Sequence, residues 1–264
     1  MQITILSTPC AWVLSGALAS QAAVLMTTEQ RELAGDSKPQ STEIILEKDK
    51  LRIDMHDEKD MTLIYRQDKD VFWNIDRMAK TYTEMTSEDL QEIGEAMDEA
   101  RKKMAEKMRD LPPEQKAMME KMMGNLLPGA SKPKVTFQKE KGSGKVSQWS
   151  CENWGSYIDG VKKADHCVAG FKSVGVAEED FAVFKDMAKF LGKLGPAYQG
   201  MLEQGMSLGD MGGVPVLTTT FDDEGKAESR ITLLSVKRQD VGTEKFDLPS
   251  GYKKNATPKI RATR

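Results

Sequence analysis

The sequence predicts an α+β fold in a single domain: an antiparallel β-meander interrupted by amphipathic helices, after an N-terminal signal peptide. Three observations predict it. Apolar side chains alternate in period two between short polar turns, the mark of strands with one dry face. In two places the period lengthens to three and four, the mark of a helix laid against a core. And residues 1–28 carry no charged side chain, the first being Glu29.

The N-terminal stretch comes first. Ala11 to Leu18 is apolar apart from Ser15, and small residues follow at Ala17-Leu18-Ala19 and Ser20-Gln21-Ala22. That reads as a secretory signal, residues 1–22, with cleavage after Ala19 or Ala22, and predicts a periplasmic or secreted protein. Ser7-Thr8-Pro9 before Cys10 is no lipobox, and no later segment is apolar enough to span a membrane. With Cys10 removed, Cys151 and Cys167 remain as an even pair in an oxidising compartment and read as one disulfide. A metal site of Cys151, His166 and Cys167 is the rival, but side chains of adjacent strand residues diverge.

Strands follow in order. Ile44 and Leu46, a turn at Lys48-Asp49-Lys50, then Leu51, Ile53 and Met55 make a hairpin. Leu63 and Tyr65, a turn at 67–69, then Val71, Trp73 and Ile75, a turn at 77–79 and Tyr82 continue it as an up-and-down meander. Thr86-Ser87-Glu88-Asp89 then opens a helix with Thr86 as N-cap. Leu90, Ile93, Met97, Ala100, Met104 and Met108 form its stripe, acids early and bases late. Pro112-Pro113 breaks it and starts a second helix with Met118, Met119, Met122 and Met123, so the first helical insertion spans 86–127.

Strands resume at Val135 and Phe137. A turn is expected at Gly142-Ser143-Gly144, then a strand from Val146 to Tyr157 and a short segment from Ala164 to Phe171. The second insertion, 177–204, starts near Glu178, carries Phe181, Phe184, Met187, Leu191 and Leu194 on one face, and stops at Gly195-Pro196. A glycine-rich loop at 205–213 precedes a hairpin of Val214–Phe221 and Ile231–Val236, and 246–252 closes the domain at 23–252. Residues 253–264 hold Lys253, Lys254, Lys259, Arg261 and Arg264 with no acid, and are expected as a basic disordered tail.

The chemistry these residues could carry is sparse. A net charge of -3 gives no general case for nucleic acid. The carboxylates of 88–109 alternate with Lys and Arg as on a solvated face, not a catalytic cleft. Gly142-Ser143-Gly144-Lys145 lacks the spacing and the following helix of a phosphate loop. With His56 and His166 as the two imidazoles and no Gly-x-Ser-x-Gly elbow, no catalytic residues and no cofactor are implied. The 17 methionines stay open to three readings: core packing, an adaptable apolar binding surface, or Cu(I) ligation with Met206 and Met211 best placed.

The strand pair ending Leu51-Arg52-Ile53-Asp54-Met55 is followed by Phe72-Trp73-Asn74-Ile75-Asp76 and Lys80-Thr81-Tyr82-Thr83-Glu84-Met85. A Met-rich Pro-Pro-Glu-Gln helix pair and the closing Phe246-Asp247-Leu248-Pro249-Ser250-Gly251-Tyr252 complete the pattern. Over most of residues 24–254 it resembles an uncharacterised family of exported bacterial proteins (DUF4412-like), grouped with the lipoprotein-carrier (LolA/LolB-like) fold. The resemblance implies an incomplete antiparallel β-barrel, a curved meander, whose open side helices cap around an apolar cavity; in the lipoprotein carriers that cavity holds acyl chains. The expectation is therefore a non-enzymatic binding protein for a hydrophobic or lipid-like ligand, lined by Trp73, Tyr82, Met97, Met104, Phe181, Phe184 and Met187. An envelope scaffold that presents its Met-rich helices to an unnamed protein partner is the alternative.

Overall fold

The computed structural model describes residues 22–109, 111–112, 114–115, 134–195 and 211–256. The expected signal segment up to Gln21, the helix carrying Met118 to Met123, Met201, Met206 and the end of the basic tail lie outside them.

Twelve strands form one sheet in the order β12-β6-β5-β4-β3-β2-β1-β11-β10-β9-β8-β7. The first six are β1 (Ala23–Glu32), β2 (Gln40–Leu46), β3 (Lys50–His56), β4 (Met61–Arg66), β5 (Val71–Asp76) and β6 (Thr81–Thr86). The next five are β7 (Val135–Val146), β8 (Trp149–Ile158), β9 (Val161–Gly170), β10 (Gly213–Phe221) and β11 (Ala227–Gln239). Each set is a meander in chain order, and β1 pairs antiparallel with β11 to join them. The short β12 (Lys253–Lys254) lies parallel to β6. Edge strands β12 and β7 do not pair with each other, so the sheet is open. Twisted strands in such number curl rather than stay flat. Register shifts in the β1–β11, β10–β11, β9–β10, β8–β9 and β7–β8 pairs add local bends.

Two excursions place helices on one face. From β6, near one edge, α1 (Ser87–Arg109) sets out toward β7 at the other, 23 residues and roughly 34 Å long. Its start is a capping box: Thr86 Oγ1 accepts from the Asp89 amide at 3.2 Å, and an Asp89 carboxylate oxygen accepts from the Thr86 amide at 2.9 Å. The link from β9 to its neighbour β10 makes α2 (Phe171–Val174), a 3-10 turn (Glu178–Phe181) and α3 (Ala182–Leu191). This excursion reaches across to β4, where Phe190 meets Tyr65 with ring centroids 5.3 Å apart. Gly94 lets α1 close on residues 192–194, since a Cβ there would come within 2.4 Å of the Lys193 carbonyl oxygen.

Several expectations need correction. The central strand β1 is not among the expected strands: Ala23 to Met26 continue the uncharged stretch that follows the signal, and Thr27 to Glu32 are all polar, with no period-two alternation. Gly142-Ser143-Gly144 is no turn: it lies inside β7, at a bulge where Gly142 takes φ +99, and the chain reverses at 147–148 instead. Gly144 stays because a Cβ would press on Cys167 Sγ at 3.0 Å. The segment expected as a short stretch from Ala164 to Phe171 is a full strand, β9, behind a tight turn in which Asp159 and Gly160 both have positive φ. The first residues of the expected tail are β12. Finally, β4 and β5 are buried on both faces, which one-sided alternation does not provide for.

Candidate functional site

Between β2 and β6 every register is regular, so side chains fall into transverse rows. On the helix side, the row Val24, Leu46, Leu51, Tyr65, Phe72 and Met85 is the floor of the larger apolar cluster. Leu90 of α1 and Val183 and Phe190 of α3 cover it, while Phe184, Met187 and Leu191 pack against it half-buried. Burial pushes the Tyr65 phenol up to about 12, with the Asp186 and Asp70 carboxylates adding to the shift.

One step along the strands lies a second row: Met26, Ile44, Ile53, Leu63, Asn74 and Thr83. Ile44, Ile53 and Leu63 are half-buried and abut the covered row. At the end of this track the Asn74 Oδ1 is buried and accepts no hydrogen bond from the described residues. A third row, Thr28, Thr42, Met55, Met61, Asp76 and Thr81, continues it, also half-buried. An apolar track with few polar groups at one end can hold an elongated apolar chain and fix its direction.

The opposite face of the same strands is sealed. Ile45, Ile64, Val71, Trp73 and Ile75 form a second cluster under Phe246, whose side chain is 0% exposed, with Tyr82, Leu248 and Tyr252 packed around it. Charged side chains clamp this C-terminal strap. Arg52 donates to the Lys245 carbonyl at 2.7 Å, and Arg66 donates to the Phe246 carbonyl at 3.3 Å and to Asp247 at 2.8 Å. The Trp73 indole and Lys254 both donate to Glu84, at 2.8 and 2.6 Å, which holds the Glu84 carboxyl below the usual range. Buried Asp54 accepts from Arg52, Thr62 and Arg77; those bonds outweigh its desolvation and hold its pKa down.

The seven residues expected to line a cavity therefore do not share one surface. Phe181, Phe184 and Met187 come together on the helix side, with Phe181 and Phe184 ring centroids 6.3 Å apart. Trp73 and Tyr82 lie on the strap side. Met97 and Met104 are half-buried on α1 and belong to neither cluster of the described residues. The track residues Ile44, Ile53 and Leu63 were visible as a period-two dry face; Asn74 carried no signal until strand register placed it beside them.

The second half holds the expected disulfide: Cys151 in β8 is bonded to Cys167 in β9. His166 sits beside it in sequence, with Nε2 3.1 Å from Ser156 Oγ and Nδ1 3.0 Å from Thr218 Oγ1. Burial lowers its pKa. Both ring nitrogens face hydroxyls, so the carboxylate that orients the histidine of a serine-histidine-acid triad has no counterpart here. His56, exposed, stands 3.0 Å from an Arg77 nitrogen.

The fold and the site define an open, mostly antiparallel sheet with helices on one face. No family model matches the chain, so the uncharacterised exported family stays a resemblance; no curated protein matches it either. Among solved structures, an uncharacterized conserved protein from Thermus thermophilus aligns over 89% of this chain and 90% of its own, at 7% identity and TM-score 0.46. A chain of the Pseudomonas aeruginosa MucA/MucB complex aligns over 89% of this chain and 58% of its own, at 8% identity and TM-score 0.40. A LolA superfamily protein from Nitrosomonas europaea aligns over 86% and 90%, at 5% identity and TM-score 0.27. At these scores none of the likenesses assigns a role to this chain. No helix among the described residues is long and apolar enough to cross a membrane.

Proposed function

We propose that this is a non-enzymatic, carrier-like binding protein, exported to the periplasm or beyond, that holds a hydrophobic or lipidated ligand against the helix side of its sheet. The observation that carries the reading is the half-buried track Ile44, Ile53 and Leu63 beside the helix-covered row. Its other face is already sealed by the strap, so the helix side is where a guest chain fits. About 25 cal/mol per Å² of buried apolar area drives binding. The LolA/LolB-like resemblance implies the same kind of ligand.

The test is native mass spectrometry of the purified protein together with displacement of a fluorescent fatty-acid probe, alongside fractionation of expressing cells. Leu63→Glu is expected to weaken the probe at least tenfold, whereas Met78→Glu, at a side chain 69% exposed, leaves it unchanged. Absence of bound lipid and of displacement at micromolar probe would overturn the reading. A scaffold role is favoured by one observation, the half-buried Met97 and Met104 outside both clusters of the described residues. Deleting 86–127 separates the two: a scaffold loses its protein partner, a carrier its ligand.

A further inference from the structure

The polar end of the track points to the head group of the ligand. This inference rests on the binding reading above and adds what the guest must carry. Asn74 occupies the helix-side position between Leu63 of β4 and Thr83 of β6. Its Oδ1 is buried without a donor among the described residues. A buried amide oxygen left without a partner is costly, and a ligand that brings a donor removes that cost. Charge narrows the choice further. Across the second and third rows the one ionisable side chain is Asp76, an acid, already accepting from the Ala79 amide at 2.7 Å. An anionic head group meets no cation in these rows and one carboxylate, while an uncharged donor meets an acceptor.

We propose that the protein selects neutral amphiphiles, one long acyl chain bearing hydroxyl donors, over fatty-acid carboxylates, and that Asn74 is the specificity-determining residue. The chain lies over Leu63, Ile53 and Ile44; the hydroxyl donates to the Asn74 amide oxygen. Thr83 and Thr81, on the same face of β6, supply further hydroxyls at that end.

Binding of monooleoylglycerol and of oleate to the full chain at pH 7.5, each by displacement of one uncharged fluorescent acyl probe, tests this. The neutral lipid is expected to bind at least tenfold tighter. Asn74→Leu is expected to lose that preference with oleate affinity unchanged, and to melt no lower than wild type, because an unpartnered amide is replaced by an apolar group of similar size. Asn74→Asp keeps an acceptor at the same place, so it is expected to retain the neutral lipid and weaken oleate further. Asp76→Asn is expected to improve oleate alone. Equal affinity for both lipids, or an Asn74→Leu protein that keeps the preference, overturns the head-group assignment while leaving the track intact. If neither lipid binds and Leu63→Glu changes nothing, the binding reading falls, and this inference with it.

Discussion

The two meanders that meet at the β1–β11 seam keep their shape by different means. From β1 to β6 the strand pairs run without a register shift, and both faces are apolar: helices cover one, the C-terminal strap the other. From β7 to β11 every pair contains a shift, and a disulfide joins the middle strands. The lesson is that regular register lets a short strand bury both faces, because neighbouring side chains align in rows that one covering segment can seal. Bulged strands bend and break such rows. There a covalent link and local polar pairs, such as Lys162 with Glu140 and Asp165, take over part of the work.

The largest blow to the first half is Phe246→Ala. It empties the site under the strap and is expected to lower stability by about 3–5 kcal/mol in urea denaturation. Hydrogen exchange should show loosening in β2–β5 and not in β7–β9. In the second half, the paired substitution of Cys151 and Cys167 by Ala is expected to cost about 3 kcal/mol, with the exchange pattern reversed. If both variants loosen the whole sheet alike, the halves are one cooperative unit and the contrast fails.

Gly94→Ala sharpens the link between the halves. The new methyl would strike the Lys193 carbonyl, so a loss of about 1–3 kcal/mol is expected, with α1 and residues 192–194 exchanging faster. Acid separates the halves by pH. Burial holds His166 below the ordinary imidazole value of 6.5 in the folded chain, so the unfolded chain takes the proton first. Its contribution is complete above about pH 6.5 and declines as pH falls through the lower folded value. The carboxylates of the first half behave likewise lower down: Asp54 and Asp68, held below 3.8 when folded, lose their contribution only in stronger acid. Melting scans between pH 7 and 3 should show an early decline that His166→Gln flattens; an unchanged profile would remove His166 as its source. The smallest effect is Trp73→Phe, which deletes the indole donor to Glu84 and is expected to cost about 1 kcal/mol.

Much of this architecture was readable along the chain. Ile44 to Tyr82 alternate because each strand must turn one side to a core, and Leu90 to Met108 recur at helical spacing for the same reason; both signals are local, and both became elements. The Thr86–Asp89 cap and the Cys151–Cys167 bridge were likewise legible, the first from four adjacent residues, the second from the even pair of cysteines left after the expected signal. Trp73 shows where such reading stops. It alternates correctly, yet alternation does not say which segment will cover a face, and the strap that buries Trp73 lies about 170 residues further on, where Lys254 joins it at Glu84.

By itself, then, the sequence determined most of the elements and their order, β1 and β12 excepted, because hydrophobic periodicity, caps and cysteine parity act over a few residues. Only the tertiary structure decided which face each strand offers to which cover, that β1 is central, and that Asn74 stands at the end of an apolar track. Those facts depend on register between strands and on contacts between distant segments, and the free energy of a cross-strand or strap contact is set by burial in the assembled sheet, not by the residues flanking it in the chain.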